Sequence, residues 1–111
     1  MDQIYDRVTG LDVHRDSVVA CSRRSGPRGG VVREKERFTT TTAGLRVLEE
    51  WLAERQVELV AMEATGVYWK PVYYALEARF TVWLCNRVRG SVRVAVAGTG
   101  HRSAHDRRDH R

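Results

Sequence analysis

Cysteine, proline, lysine and long apolar runs are all scarce in this chain of 111 residues. Its two cysteines, Cys21 and Cys85, are too few for a four-thiolate zinc site, and both fall in apolar, strand-like stretches. They read as buried reduced thiols rather than as a disulfide, which points to a cytoplasmic setting. No run approaches the roughly 20 apolar residues of a membrane-spanning helix, so no membrane partner is expected. The opening MDQIYDRV lacks the basic segment followed by an apolar one that marks a signal peptide. Residues 86–111 contain no Leu, Ile, Lys, Glu, Phe, Tyr or Trp.

Charge is present, and it is unevenly spread. The net value is +5. Residues 86–111 hold seven Arg and two Asp, while residues 1–85 hold twelve Lys or Arg and twelve Asp or Glu. The whole excess therefore lies in the tail. Basic charge favours nucleic acid through counterion release, but the balance of the main body carries no such signal. The length suits one domain of modest core.

Hydrophobic periodicity orders the chain. Thr9 to Asp16 reads as a strand with a turn near His14 to Asp16, and Ser17 to Arg24 as a second, β-branched strand. SGPRGG, Ser25 to Gly30, is a turn, because proline and glycine punctuate strongly. Val31 to Thr41 suits a third strand with one wet face. The period then changes. Leu45, Leu48 and Leu52, with Trp51 beside them, predict a helix capped by Thr41 or Thr42. Val57 to Ala64 has strand length. Trp69, Val72, Tyr73 and Leu76 predict a second helix with Pro71 in its first turn. Thr81 to Asn86 is a further strand. The order β-β-β-α-β-α-β predicts an α/β fold, a ribonuclease H-like mixed five-stranded sheet with flanking helices. Its domain spans residues 1–86, and residues 87–111 form an Arg-rich tail. Val92 to Ala97 could extend a little, and Gly98 onward reads as disordered.

In that arrangement the first and fourth strands are neighbours, and their C-terminal ends gather ligands. Asp12 lies in the first and Glu63 at the end of the fourth. Strands about 5 Å apart would let the two carboxylates share a metal ion. Hard oxygen ligands suit Mg²⁺ completed by waters and phosphate oxygens. Two such ions about 3.5–4 Å apart would suit phosphodiester cleavage. The competing reading is a pair of solvated acids at strand ends.

GLDVHRD, Gly10 to Asp16, and AMEATGVYWKPVYYAL, Ala61 to Leu76, closely resemble the N-terminal domain of the DEDD transposases of the insertion-sequence-110 family. The likeness runs from about Gly10 to Asn86. It implies a RuvC-like domain with an Asp-Glu-Asp-Asp metal site, in which Asp12 is the first acid and Glu63 the second. It implies Mg²⁺ as cofactor, DNA as substrate for cleavage and rejoining, an element-encoded guide RNA in some members, and a homo-oligomer in the full-length family. It also implies a bacterial cytoplasmic protein that meets the nucleoid when acting. Full-length members carry a second domain with a nucleophilic serine, which these residues do not include, so the fragment is expected to be inactive as a recombinase.

The family's last two acids fall in a Lys-Thr-Asp-x-x-Asp-Ala motif. Asp106 and Asp109 share that spacing of three, but their setting, HRSAHDRRDHR, has neither the Lys-Thr nor the Ala. They stand either as the remaining acids or as chance acids of a charged tail. A frameshift after Asn86 would explain the tail's composition, and the other two reading frames of the gene test it.

Several neighbours carry two readings. His14 could touch a phosphate or simply form a surface turn, and Asp16 could bond its own backbone. Thr65 and Gly66 could cap a helix near a phosphate, though tight reversal beside Glu63 is simpler. Tyr68 and Trp69 could stack on a base, with core packing favoured for Trp69. His101, His105 and His110 have metal-compatible spacings but no cysteine nearby. Two other classes compete with the transposase fragment. One is a non-enzymatic nucleic-acid-binding module using the tail. The other is a sugar-kinase-like ATPase, disfavoured by the missing Gly-rich phosphate loops.

Overall fold

The computed structural model describes residues 5–64, 66–88 and 91–98, with side chains up to residue 85. Strands β1 (Val8–Val13), β2 (Ser17–Ser25) and β3 (Val31–Thr39) come first. Helix α1 (Thr42–Glu54), β4 (Leu59–Ala64), α2 (Trp69–Leu76), β5 (Thr81–Val88) and β6 (Ser91–Gly98) follow. They build one mixed sheet in the order β3-β2-β1-β4-β5-β6. The first three strands form an antiparallel meander, and β1, β4 and β5 run parallel.

The expected order β-β-β-α-β-α-β is present, and a sixth strand extends it. The boundary expected at Asn86 falls inside β5, and β6 returns antiparallel beside it. Val92, Val94 and Val96 recur at the period of a strand, which suits such an edge. The disorder expected from Gly98 onward is corrected at Gly98 itself, which ends β6 opposite Val82, while residues 99–111 lie outside the described residues.

Both helices cover the same face of the sheet. Leu45, Leu48 and Leu52 of α1 and Val72, Tyr73 and Leu76 of α2 are buried. They join Leu11 and Val13 of β1, Val18 and Ala20 of β2, Val60 and Met62 of β4, and Val82 of β5 in one core. Phe38 and Trp51 meet edge to face at 5.5 Å and close the β3 side. Strand alternation sends the other residues, including Gly10, Asp12, Ala61 and Glu63, to the opposite face.

The helix ends follow from local chemistry. Thr41 caps α1, its Oγ1 accepting from the Gly44 amide at 3.0 Å. At the other end Gln56 takes φ 54°, and the Gln56 and Val57 amides donate to the carbonyls of Ala53 and Leu52. That is a Schellman closure with glutamine where glycine is usual. Pro71 sits in the first turn of α2, as expected. The buried thiols expected from sequence are corrected: Cys21 is exposed and Cys85 half-buried, and both are free. Both stand on strand positions that alternation turns away from the helices, which the apolar neighbours in sequence conceal.

Candidate metal centre

The register of two parallel strands brings the predicted acids together. Asp12 of β1 stands directly beside Glu63 of β4, and Glu63 beside Cys85 of β5. On its other side Asp12 pairs with Val19 of β2, which pairs with Arg37 of β3. One row across the sheet therefore reads Arg37, Val19, Asp12, Glu63, Cys85. Neighbouring strands are about 4.8 Å apart, so the two carboxylates can meet on one ion. The row lies at the C-terminal ends of β1 and β4, one residue before each strand stops.

The row is open to solvent. Asp12 is exposed and Glu63 half-buried. Next below it, Gly10 and Ala61 are register partners. A Cβ added at Gly10 would have nothing nearer than the Ala61 carbonyl oxygen at 4.0 Å, so this floor is shallow. Beyond β4, Gly66 adopts φ 61°, a left-handed turn suited to glycine. Helix α2 starts with Tyr68 as its cap and without a side-chain cap, so Gly66 serves the reversal and does not cap the helix. Thr65, the other half of that expectation, lies outside the described residues.

His14 joins the acids. Its Nε2 is 3.3 Å from Asp12 Oδ2, while its amide donates to the Ser17 carbonyl at 2.8 Å. The turn thus sets the ring beside the carboxylate, a contact that neither expected reading, a phosphate contact or a plain surface turn, contained. Asp16 contributes its carbonyl to the Thr40 amide at 3.2 Å. Cys85 was not foreseen as a site residue. Its thiol is pushed up in pKa, first by burial and then by the Glu63 carboxylate. Trp69 packs against the core and meets Tyr73 edge to face at 5.8 Å, which settles it as a packing residue, whereas Tyr68 is exposed. Asp106, Asp109, His101, His105 and His110 lie outside the described residues.

Two side-by-side carboxylates fit a hard cation that keeps several waters. Among the described residues no group of three or more His, Cys, Asp or Glu is arranged to enclose a metal. The donor set on this face is therefore an open, two-carboxylate shelf rather than a closed cage.

Comparisons with known proteins bear on this geometry. The structure of Thermus thermophilus RuvC is similar over 88% of this chain and 73% of that one, with a TM-score of 0.53 and 19% identity. That likeness establishes the RuvC-like, ribonuclease H-like fold. The Aquifex aeolicus member of the Ppx/GppA family also matches, at TM-score 0.45 and 16% identity, over 73% of this chain and 36% of that one. A comparison with curated proteins gives no match. A family model described as a transposase, that of the DEDD insertion-sequence-110 group, matches residues 9–89, a span that holds Asp12, Glu63, all of β4 and all but the first residue of β1. With that span matched and the fold in agreement, the chain belongs to the DEDD transposases of the insertion-sequence-110 family.

Proposed function

We propose that these residues form the acid-bearing part of a Mg²⁺-dependent transposase that cleaves and exchanges DNA strands. The observation that carries this reading is the in-register pairing of Asp12 with Glu63 at the C-terminal ends of two parallel strands. Asp12 and Glu63 hold the ion, and Asp106 and Asp109, outside the described residues, are the candidates for the third and fourth acids, against the reading of them as chance acids of the tail. His14 orients the Asp12 carboxylate through their 3.3 Å contact. Bound there, Mg²⁺ supplies Lewis-acid polarisation of a phosphate and lowers the pKa of a water. The shallow floor at Gly10 and Ala61 leaves room for a backbone to lie against the acids.

The family resemblance extends the proposal to a guide RNA, a homo-oligomeric assembly and action at the bacterial nucleoid in the cytoplasm. Among the described residues no helix is long and apolar enough to cross a membrane.

Mg²⁺ titration followed by amide NMR tests the site without requiring turnover. Shifts should cluster at residues 10–14 and 61–64 and vanish in Asp12→Asn. Shifts spread evenly over surface acids, or none at all, would remove Asp12 and Glu63 from the metal role.

A further inference from the structure

The main body has no net charge, yet its charges are sorted between the two faces of the meander. Strand β3 reads VVREKERFT. Phe38 points into the core, so Glu34 and Glu36 share the helix side of the pleat. Arg33, Lys35 and Arg37 take the other side, which is the face that carries Asp12 and Glu63. Arg23 of β2 is the register partner of Arg33 and joins them. All four cations are exposed. On the helix side Glu34 is engaged by Arg55 Nε at 2.7 Å. Among the described residues, none of the four cations has a carboxylate within ion-pair distance, and Arg37 donates only to Ser17 Oγ at 3.3 Å.

Charged residues on an edge strand often serve only to discourage pairing with another sheet. Two features exceed that need. Arg23 and Arg33 stand directly opposite each other on one face, an arrangement of like charges that costs stability. The ladder is also in register with the acids, because Arg37, Val19, Asp12 and Glu63 form one row. Alternate residues on a strand recur every ~6.7 Å, an interval comparable with that between successive phosphates of an extended strand. Arg37 lies two strands from β1, about 10 Å from Asp12, and Lys35 and Arg33 follow it along β3. Along the ladder itself Cys21, Ser22, Arg23, Arg33, Glu34 and Lys35 line a hollow of about 270 Å³.

We propose that Arg23, Arg33, Lys35 and Arg37 form a phosphate track that holds a DNA backbone beside the acid pair. This rests on the reading of Asp12 and Glu63 as DNA-cutting acids and names the surface that delivers the substrate to them. The cations meet successive phosphates along β3, and Arg37 marks the end of the track level with the acids. Affinity here comes from charge and carries no base sequence, since phosphate contacts position a strand without reading it.

The test measures binding of the full chain to a fluorescein-labelled single-stranded DNA by anisotropy across a salt series, with EDTA present so that no metal site is needed. Each neutralised phosphate contributes about 0.7 to the log–log salt slope, so Arg33→Gln/Lys35→Gln should flatten it by about 1.4. The charge-matched control Arg46→Gln/Lys70→Gln changes exposed cations on the two helices and should leave the slope unchanged. Equal losses in both variants would reduce the effect to net charge and overturn the track. No loss in either would do the same. Binding through the ladder by an RNA of the same sequence but not by DNA would overturn DNA as the occupant. Bound DNA should also slow maleimide labelling of Cys21, which is the register partner of Lys35 and is exposed on this face; unchanged labelling would place the strand elsewhere. Because these readouts omit Mg²⁺, failure of the acid site appears only in the NMR titration, and failure of the track only here.

Discussion

Single side chains carry consequences that the pattern of the chain conceals. Thr9 is fully buried in β1, and among the described residues its Oγ1 has no hydrogen-bond partner. An unsatisfied buried hydroxyl costs about 1–3 kcal/mol, so Thr9→Val, which keeps the shape, should raise stability by about 1 kcal/mol in urea unfolding. A loss of stability would mean that the hydroxyl is satisfied in solution. Asp6 shows the opposite economy. Its Oδ1 accepts from Ser25 Oγ at 2.6 Å and from the Ser25 amide at 3.1 Å, tying the lead-in of β1 to the end of β2. These bonds, the side-chain one first, hold its carboxyl below the ordinary value of 3.8. A depressed carboxylate stabilises the fold above that ordinary value and loses its contribution as pH falls through the lower folded value. Asp6→Asn should therefore be less stable than the parent at neutral pH, with the gap closing in acid unfolding below pH 3.8. A gap that persists there would assign the effect to packing. At this scale the adjacency of Asp12 and Glu63 was legible, because the strand order made β1 and β4 neighbours. The missing partner of Thr9 and the contact of His14 with Asp12 were not, since both depend on which atoms meet across the fold.

At the scale of elements, helix α1 shows how far periodicity reaches. The leucine spacing and the threonine cap were readable because both are local. The close fit of α1 to β3 was not. A Cβ at Gly44 would run into the backbone carbonyl of Thr39. Gly44→Ala should therefore destabilise by about 1–3 kcal/mol through overpacking, despite a helix-propensity gain of nearly 1 kcal/mol. Thermal melting with an unchanged or higher midpoint would show that β3 yields at no cost. The C-terminal closure runs the other way. Gln56 holds a left-handed conformation that glycine adopts freely, so Gln56→Gly should stabilise by up to about 1 kcal/mol, and a fall in the midpoint would refute that. Strand β6 marks where element reading stopped short. Val92, Val94 and Val96 carried the right period, but a strand at the edge of a sheet is specified by its neighbour β5 as much as by itself.

At the scale of the whole molecule, net charge proved the least informative number. A balance of zero over residues 1–85 carries no signal of a nucleic-acid surface, yet the sheet separates Arg33, Lys35 and Arg37 from Glu34 and Glu36 by the alternation of one strand. The sign alternation R-E-K-E-R is visible in the sequence, but its meaning depends on which face the helices cover. Both helices pack on one face, so the acids, the cations and both free thiols share the other. The thiols make that sharing measurable in the intact protein. Cys21 is exposed, while Cys85 is half-buried beside Glu63, and its raised pKa leaves less reactive thiolate at a given pH. Maleimide should therefore modify Cys21 first and Cys85 several-fold more slowly, with mass spectrometry of peptides assigning each site. Glu63→Gln should speed Cys85 modestly, since burial contributes more than the carboxylate to its shift, and should leave Cys21 unchanged. Equal rates at the two thiols would mean that Cys85 is as open as Cys21, and a Cys85 rate indifferent to Glu63 would separate the thiol from the acid row that defines the site.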